Sequence, residues 1–373
     1  MLDVNWLTTA IAGLILADLG CRSVLMAYYR DGARILPLLR LAERSDRKVT
    51  YYKRFDSWLA PLPFVICWLE ISLAALLARY GGSDWLWIAA ALVIGGRFRA
   101  LQEVGHNALH GALCPSKRLQ WFLSNVFFQF PVFKRDMDSR YIVHVQEHHP
   151  NADIPGADPN LQRISAGGMN PGISSLAFVN ALLMPIGPSG LRETIVTMVR
   201  AALFLNSNAQ AAALRVVSVG LAAGLFYGLG GWRGILFGYL PALVVAYPLF
   251  AWLSLLAKHR WHVPVMPGVA RGRDHDFEHG RATDYTGLSG AVVRYFICPS
   301  SDAYHLAHHL FPFVRAEYLP VVDRALKISE PRYTQYISNG LLFGRHGQPA
   351  ALSELRERLT VAEHATVRGG APA

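Results

Sequence analysis

Apolar residues gather into runs too long for the core of a soluble protein, and the polar stretches between them show how the runs are joined. The first run, residues 6–29, is interrupted by Asp18 and Arg22. It predicts a helix that spans a bilayer or lies along its surface. Residues 57–78 are long enough to cross, with Glu70 as a lone acid inside the run. After a "GGSD" turn, residues 85–96 begin a second crossing that runs on through Arg97 and Arg99. Two spans joined by so short a turn make a helical hairpin. Residues 102–170 are polar and proline-punctuated around the amphipathic "WFLSNVFFQF", and residues 171–191, broken by Pro171, Pro185 and Pro188, read as interfacial. A second hairpin follows: 211–229 (interrupted by Arg215), a "GGWR" turn, then 234–257. That last run holds 24 residues without a charge, more than the roughly 20 needed to span. From about residue 263 the chain reads as cytosolic, with a frayed tail beyond residue 350.

The expected fold is therefore an all-α integral membrane protein: two transmembrane hairpins (about four spans) under a cytosolic helical cap. Charge supports this. Only 17% of residues are charged, against about 25% in soluble domains. Arg30, Arg34, Arg40, Arg44, Arg47, Lys48, Lys53 and Arg54 mark residues 30–56 as a cytoplasmic flank, because positive charge is retained on that side. Two hairpins then return every polar segment, and both termini, to the cytosol. The net charge of +10 forms no dense tract with interleaved aromatics, so no nucleic-acid partner is expected. No small-residue cleavage site accompanies the first run, which argues against a signal peptide. Cys21, Cys67, Cys114 and Cys298 are isolated, without a C-x-x-C, so neither a zinc ribbon nor a disulfide framework is visible.

The chemistry rests on histidine. "HNALH" gives His106 and His110, "HVQEHH" gives His144, His148 and His149, and "YHLAHHLFP" gives His305, His308 and His309. Residues three or four apart share a helix face, so each segment can aim imidazoles at one place, and the topology puts all three on one membrane side. Eight nitrogen ligands exceed the needs of one tetrahedral ion and suggest two metals. Imidazole suits zinc, copper, iron and nickel, so ligand type alone leaves the metal open. Glu103, Glu147, Asp153 and Asp302 lie near enough in sequence to orient the rings.

These clusters resemble the three histidine boxes of the membrane fatty acid desaturase family, approximately H-x3-H, H-x2-3-HH and H-x2-HH. The resemblance covers residues 57–320, with 1–56 as an N-terminal interfacial segment or extra span and 321–373 as a cytosolic C-terminal helix and frayed tail. In the third box Ala307 stands where many members have Glu or Gln. What the resemblance implies is a centre of two non-haem irons at the cytosolic surface of a multi-pass membrane protein (the cytoplasmic membrane in a bacterium). It would use O2 and two electrons to oxidise a fatty acyl lipid, with a separate ferredoxin, rubredoxin or cytochrome b5 type protein as donor. Desaturation is the leading reaction; hydroxylation, acetylenation and decarboxylation belong to the same scaffold. A zinc-dependent lipid hydrolase is the competing class, disfavoured because Asn107 rather than Glu follows His106. Family members add a ninth histidine after the fourth span. Here His259 and His262 stand one turn apart on the expected helical continuation "LLAKHRWH", with Lys258 replacing the acid of an "AEH" context, and His279 in "DFEHG" is the third candidate.

Overall fold

The computed structural model describes residues 4–45, 51–203, 206–264 and 272–360. Among them the protein is all-α, with β pairing confined to isolated bridges such as His259 with Gly280. Among the described residues three helices are long and apolar enough to cross a bilayer, Trp6–Tyr28, Asp56–Gly81 and Ala209–Lys258. The chain is an integral membrane protein.

Helix α1 (Val4–Tyr28) packs along α2 (Leu62–Gly81), which ends where Gly82 takes a left-handed φ of 67°. A side chain there would be strained, and the turn lets α3 (Asp84–Leu109) run back against α2. At 26 residues, α3 is about 39 Å long, longer than the roughly 30 Å hydrocarbon layer. Its first half is apolar, with Trp85 and Ile88 exposed and Trp87 and Ile94 in the core, and its last turns carry Arg97, Arg99, Glu103 and His106. This charge separates α3 from the three helices above.

Helix α4 (Ala209–Arg233) contains one non-helical residue, Gly231, at φ 60°. Phe226 stacks on Tyr239 with ring centroids 4.6 Å apart. Thirteen residues of straight helix would hold them about 20 Å apart, so the chain doubles back at Gly231. Two π-helical stretches, Gly234–Tyr239 and Ala242–Ala246, lead into α5 (Tyr247–Lys258). Arg79 donates to the carbonyls of Gly228 and Leu229 at 3.0 and 2.9 Å, tying the two reversals together.

Lipid is as apolar as leucine, so close packing and polar contacts must hold such helices together. Phe98 is wholly buried and meets Trp68, Tyr239 and Tyr247 edge-on at 6.1, 6.1 and 6.5 Å. Each such pair contributes about 0.5–1.5 kcal/mol beyond burial. Glu70 accepts from Arg97 at 2.8 Å and from Arg22, which also binds Asp18 at 2.8 Å. Arg97 lies 3.6 Å over the Tyr295 ring. The apparent oddities of the first two runs are thus one neutral network across α1, α2 and α3.

The cap carries α6 (His305–Leu310) beneath the helix Leu319–Ser329. Leu25, Tyr29 and Ile35 share a core with Leu306, Leu319 and Val322, so the N-terminal segment is built into the cap. One expectation is corrected here. Residues just beyond 350 are not frayed: Ala351–Thr360 is a helix whose Leu352, Leu355 and Leu359 are buried with Trp252 and Trp261. Residues 361–373 lie outside the described residues.

Candidate metal centre

The last turn of α3 presents His106 and His110 on one face, because i and i+4 lie about 40° apart on a helix. In α6 the same spacing aligns His305 with His309 and turns His308 aside. The second box behaves differently. Ile142–His148 is π-helical, and in that geometry i bonds to i+5. His144 is therefore brought over His149, and His148 faces elsewhere, which corrects the α-helical expectation that His144 would pair with His148.

The outcome is two groups of imidazoles. His106, His110, His144, His149 and His308 have ring nitrogens within 4.8 Å of one another, as do His148, His259, His305 and His309. In the first group Nε2 of His144 lies 2.6 Å from Nε2 of His106 and 3.2 Å from that of His149. In the second, Nε2 of His305 lies 2.9 Å from Nε2 of His259. The groups adjoin, with the rings of His149 and His309 stacked at 4.4 Å.

Nε2 atoms brought so close need something between them. Imidazoles at about 2.1 Å from one ion have their nitrogens about 3.0–3.4 Å apart, close to the spacing found. Both nitrogens of His308 and Nε2 of His309 are buried without a hydrogen-bond partner, a costly arrangement that a cation would relieve. Burial, reinforced by neighbouring imidazoles, holds His144, His149, His305 and His308 well below the ordinary histidine range, and pushes His259 down to about 3. The rings are neutral near pH 7, the state in which they offer lone pairs to a metal. The donor set fits two metal ions.

Carboxylates face the outer nitrogens. Nδ1 of His106 lies 3.1 Å from Glu103, that of His148 2.8 Å from Asp158, that of His259 2.9 Å from Asp153 and that of His309 3.5 Å from Asp276. An acceptor at Nδ1 selects the tautomer whose Nε2 lone pair points inward. Although burial opposes it, Asp158 is held below the usual carboxylate range by hydrogen bonds from His148 and from the backbone N–H of Asp153 and Asn160. Asp153 is pushed up to about 8 by burial and by Asp158.

Glu103 anchors a larger buried network. It accepts from Arg99 at 2.7 Å and from Ser301 at 2.7 Å. Asp302 accepts from Ser254 at 2.5 Å, pairs with Lys258 at 2.6 Å and binds Arg99. Lys258, which breaks the sequence match, is thus the counter-charge of Asp302. Of the acids singled out by sequence, Glu103 and Asp153 face histidines, Asp302 acts through Lys258 and Arg99, and Glu147 lines the adjoining cavity. Asp158 and Asp276 were missed. Asp158 carried a signal, since it caps the helix Pro159–Ala166 in an Asp-Pro pair.

Of the three candidates for a ninth histidine, His259 joins the second group, by a route the sequence did not suggest. The helix does not continue through "LLAKHRWH": it ends at Lys258, and His259 is extended at φ −119°, ψ 167°. A bridge to Gly280, with Arg260 N–H donating to His279 at 2.8 Å, holds it there. His262, at φ 62°, stands apart from both groups, and so does His279, which stacks on His275 at 4.1 Å. The argument that His259 and His262 share a rigid helix face is overturned, because the extended backbone turns them to different sides.

Comparison with known proteins follows the same lines. The family described as fatty acid desaturase matches residues 83–339. The dihydrorhizobitoxine desaturase of Bradyrhizobium elkanii is 26% identical over 304 residues, covering 76% of this chain and 81% of that protein.

Proposed function

The chain belongs to the fatty acid desaturase family and is a desaturase-type oxidoreductase of fatty acyl chains, and on that premise we propose that it introduces a carbon–carbon double bond at the nine-histidine centre. The observation that carries this reading is the partition of nine imidazoles into adjoining groups of five and four, with outer nitrogens directed to carboxylates. His106, His110, His144, His149 and His308 would hold one non-haem iron, and His148, His259, His305 and His309 the other. Bound there, the pair supplies the power to take hydrogen from an unactivated C–H bond, the cofactor carrying chemistry that side chains cannot. Overall, two hydrogens leave the substrate and O2 becomes two waters with two electrons and two protons from outside.

The protein's own part is positional. Glu103, Asp158 and Asp276 hold the His106, His148 and His309 rings so that Nε2 faces inward, and Asp153 lies beside His259. A cavity of about 540 Å³, lined by His106, His144, His148, His259 and His305, brings the substrate to them. Electrons come from a separate carrier of the ferredoxin, rubredoxin or cytochrome b5 type docking on the cytosolic face. The two reversals at Gly82 and Gly231 support four crossings with all boxes on the cytosolic side, and α1 as an additional membrane helix. Thiol labelling of single cysteines placed at Ser83 and at Ser329 tests this: only Ser83→Cys should react from outside the cell.

The decisive test is chemical. Purified protein should contain two irons per chain and, with reductant and O2, yield products with a new double bond by gas chromatography. Hydroxylated products or terminal alkenes would overturn desaturation, and zinc in place of iron would overturn the reaction class.

A further inference from the structure

The cavity that opens on the histidines is not built for hydrocarbon alone. Phe128, Val132, Met184, Met198, Leu243 and Leu255 form an apolar wall. The same cavity is lined by Lys134, Arg135, Arg140 and Arg163, with Glu103, Glu147 and Glu193 as its acids. Arg99 and Lys258 also reach the cavity, but Glu103 and Asp302 neutralise them. Among the described residues no carboxylate comes within ion-pairing distance of Lys134, Arg140 or Arg163. Nζ of Lys134 lies 5.0 Å from the Tyr247 ring, with the Glu193 carboxylate acting on it at longer range, and Arg140 lies 5.7 Å from the Phe128 ring and donates to the Gln129 side-chain oxygen at 3.1 Å. Arg140 also reaches α3 at the residue before His106: a Cβ on Gly105 would lie 3.9 Å from its Nη1.

Cations lining a cavity with no carboxylate in direct contact favour an anionic occupant, and a neutral alkyl chain would leave them desolvated without an ion pair. We infer that the substrate carries an anionic oxygen head group, a free carboxylate or a phosphate, which Lys134 and Arg140 bind inside the cavity and Arg163 attracts at its mouth. The inference rests on the desaturase reading of the histidine centre and names the substrate class for it: an amphiphile whose charged end enters the protein with its aliphatic part.

The test is calorimetric titration of the purified, iron-containing full chain in detergent with three probes of equal chain length: octanoate, methyl octanoate and octyl phosphate. The better anion should bind at least about tenfold more tightly than the ester, the scale of one charge-assisted hydrogen bond. Which anion wins distinguishes carboxylate from phosphate. The double variant Lys134→Gln, Arg140→Gln should lose that preference while binding the ester as before, so the ester reports on an intact cavity. Should that variant bind nothing, Arg163→Glu at the exposed mouth should still weaken anion binding and leave the ester unaffected. Equal affinity for anion and ester in the unaltered protein, or a preference that survives these substitutions, overturns the inference. Turnover is read separately: an anion bound through Lys134 and Arg140 but recovered without a new double bond sinks the desaturase reading and leaves the subsite standing.

Discussion

Two ionic networks cross this helical bundle with the same inventory, two carboxylates and two cations. Asp18, Arg22, Glu70 and Arg97 join α1, α2 and α3, while Arg99, Glu103, Lys258 and Asp302 join α3, α5 and the segment before α6. Both are neutral overall, as charges in a low-dielectric interior must be. They differ in what the carboxylate does with its remaining oxygen. Glu70 spends both oxygens on arginines. Glu103 gives one to Arg99 and turns the other toward His106 and Ser301. The same pairing is structural glue in one place and a support for the reactive centre in the other, and position in the bundle alone would not separate them.

The comparison can be broken most severely at the centre itself. His259→Ala should abolish turnover and release one of two irons, whereas His262→Ala should leave both within about twofold of the starting protein, as substitutions away from special sites do. Iron per chain and product yield decide it; the reverse pattern would mean that the extended His259 is a bystander. Next in size is Glu103→Gln, expected to lower iron retention or activity about 10–100-fold by loosening the His106 ring, measured as iron remaining after a timed challenge with chelator. Glu70→Gln should behave oppositely. It leaves Arg97 buried in the bundle without its carboxylate, while Arg22 keeps Asp18, at a cost of about 3–5 kcal/mol, visible as a lower Tm in detergent, while iron per folded molecule is retained. Smallest of all, Glu147→Gln should leave iron retention within about twofold. Equal iron loss in the Glu70 and Glu103 variants would erase the distinction between the networks.

Long apolar helices and histidine boxes were legible because their signals are local: long apolar runs and imidazoles a few residues apart. What escaped depends on residues far apart in the chain. Lys258 reads as a departure until Asp302 arrives 44 positions later, and Asp276 meets His309 only because two cap helices pack together. Glu70 reads as an isolated acid until α1 supplies Arg22. The end of α5 was misjudged because "LLAKHRWH" has nothing that forbids a helix; the bridge from His259 to Gly280 stops it. The helix Ala351–Thr360 was hidden by the Gly-rich tail that follows, although Leu352, Leu355 and Leu359 already carried its period.

The π turn at the second box has a further consequence for how the sequence can vary. A π-helical turn is an α-helical turn that has accepted one inserted residue. His144 and His149, five apart, share a face only in the wider turn, whereas a box shorter by one residue would present its first and last histidines four apart, on one face of an ordinary α-helix. An H-x2-HH spacing in an α-helix would thus match the H-x3-HH spacing of this π turn in the face its outer histidines share. Removing one residue between His144 and His148 is therefore expected to tighten the turn to α-helix and keep its outer histidines on one face.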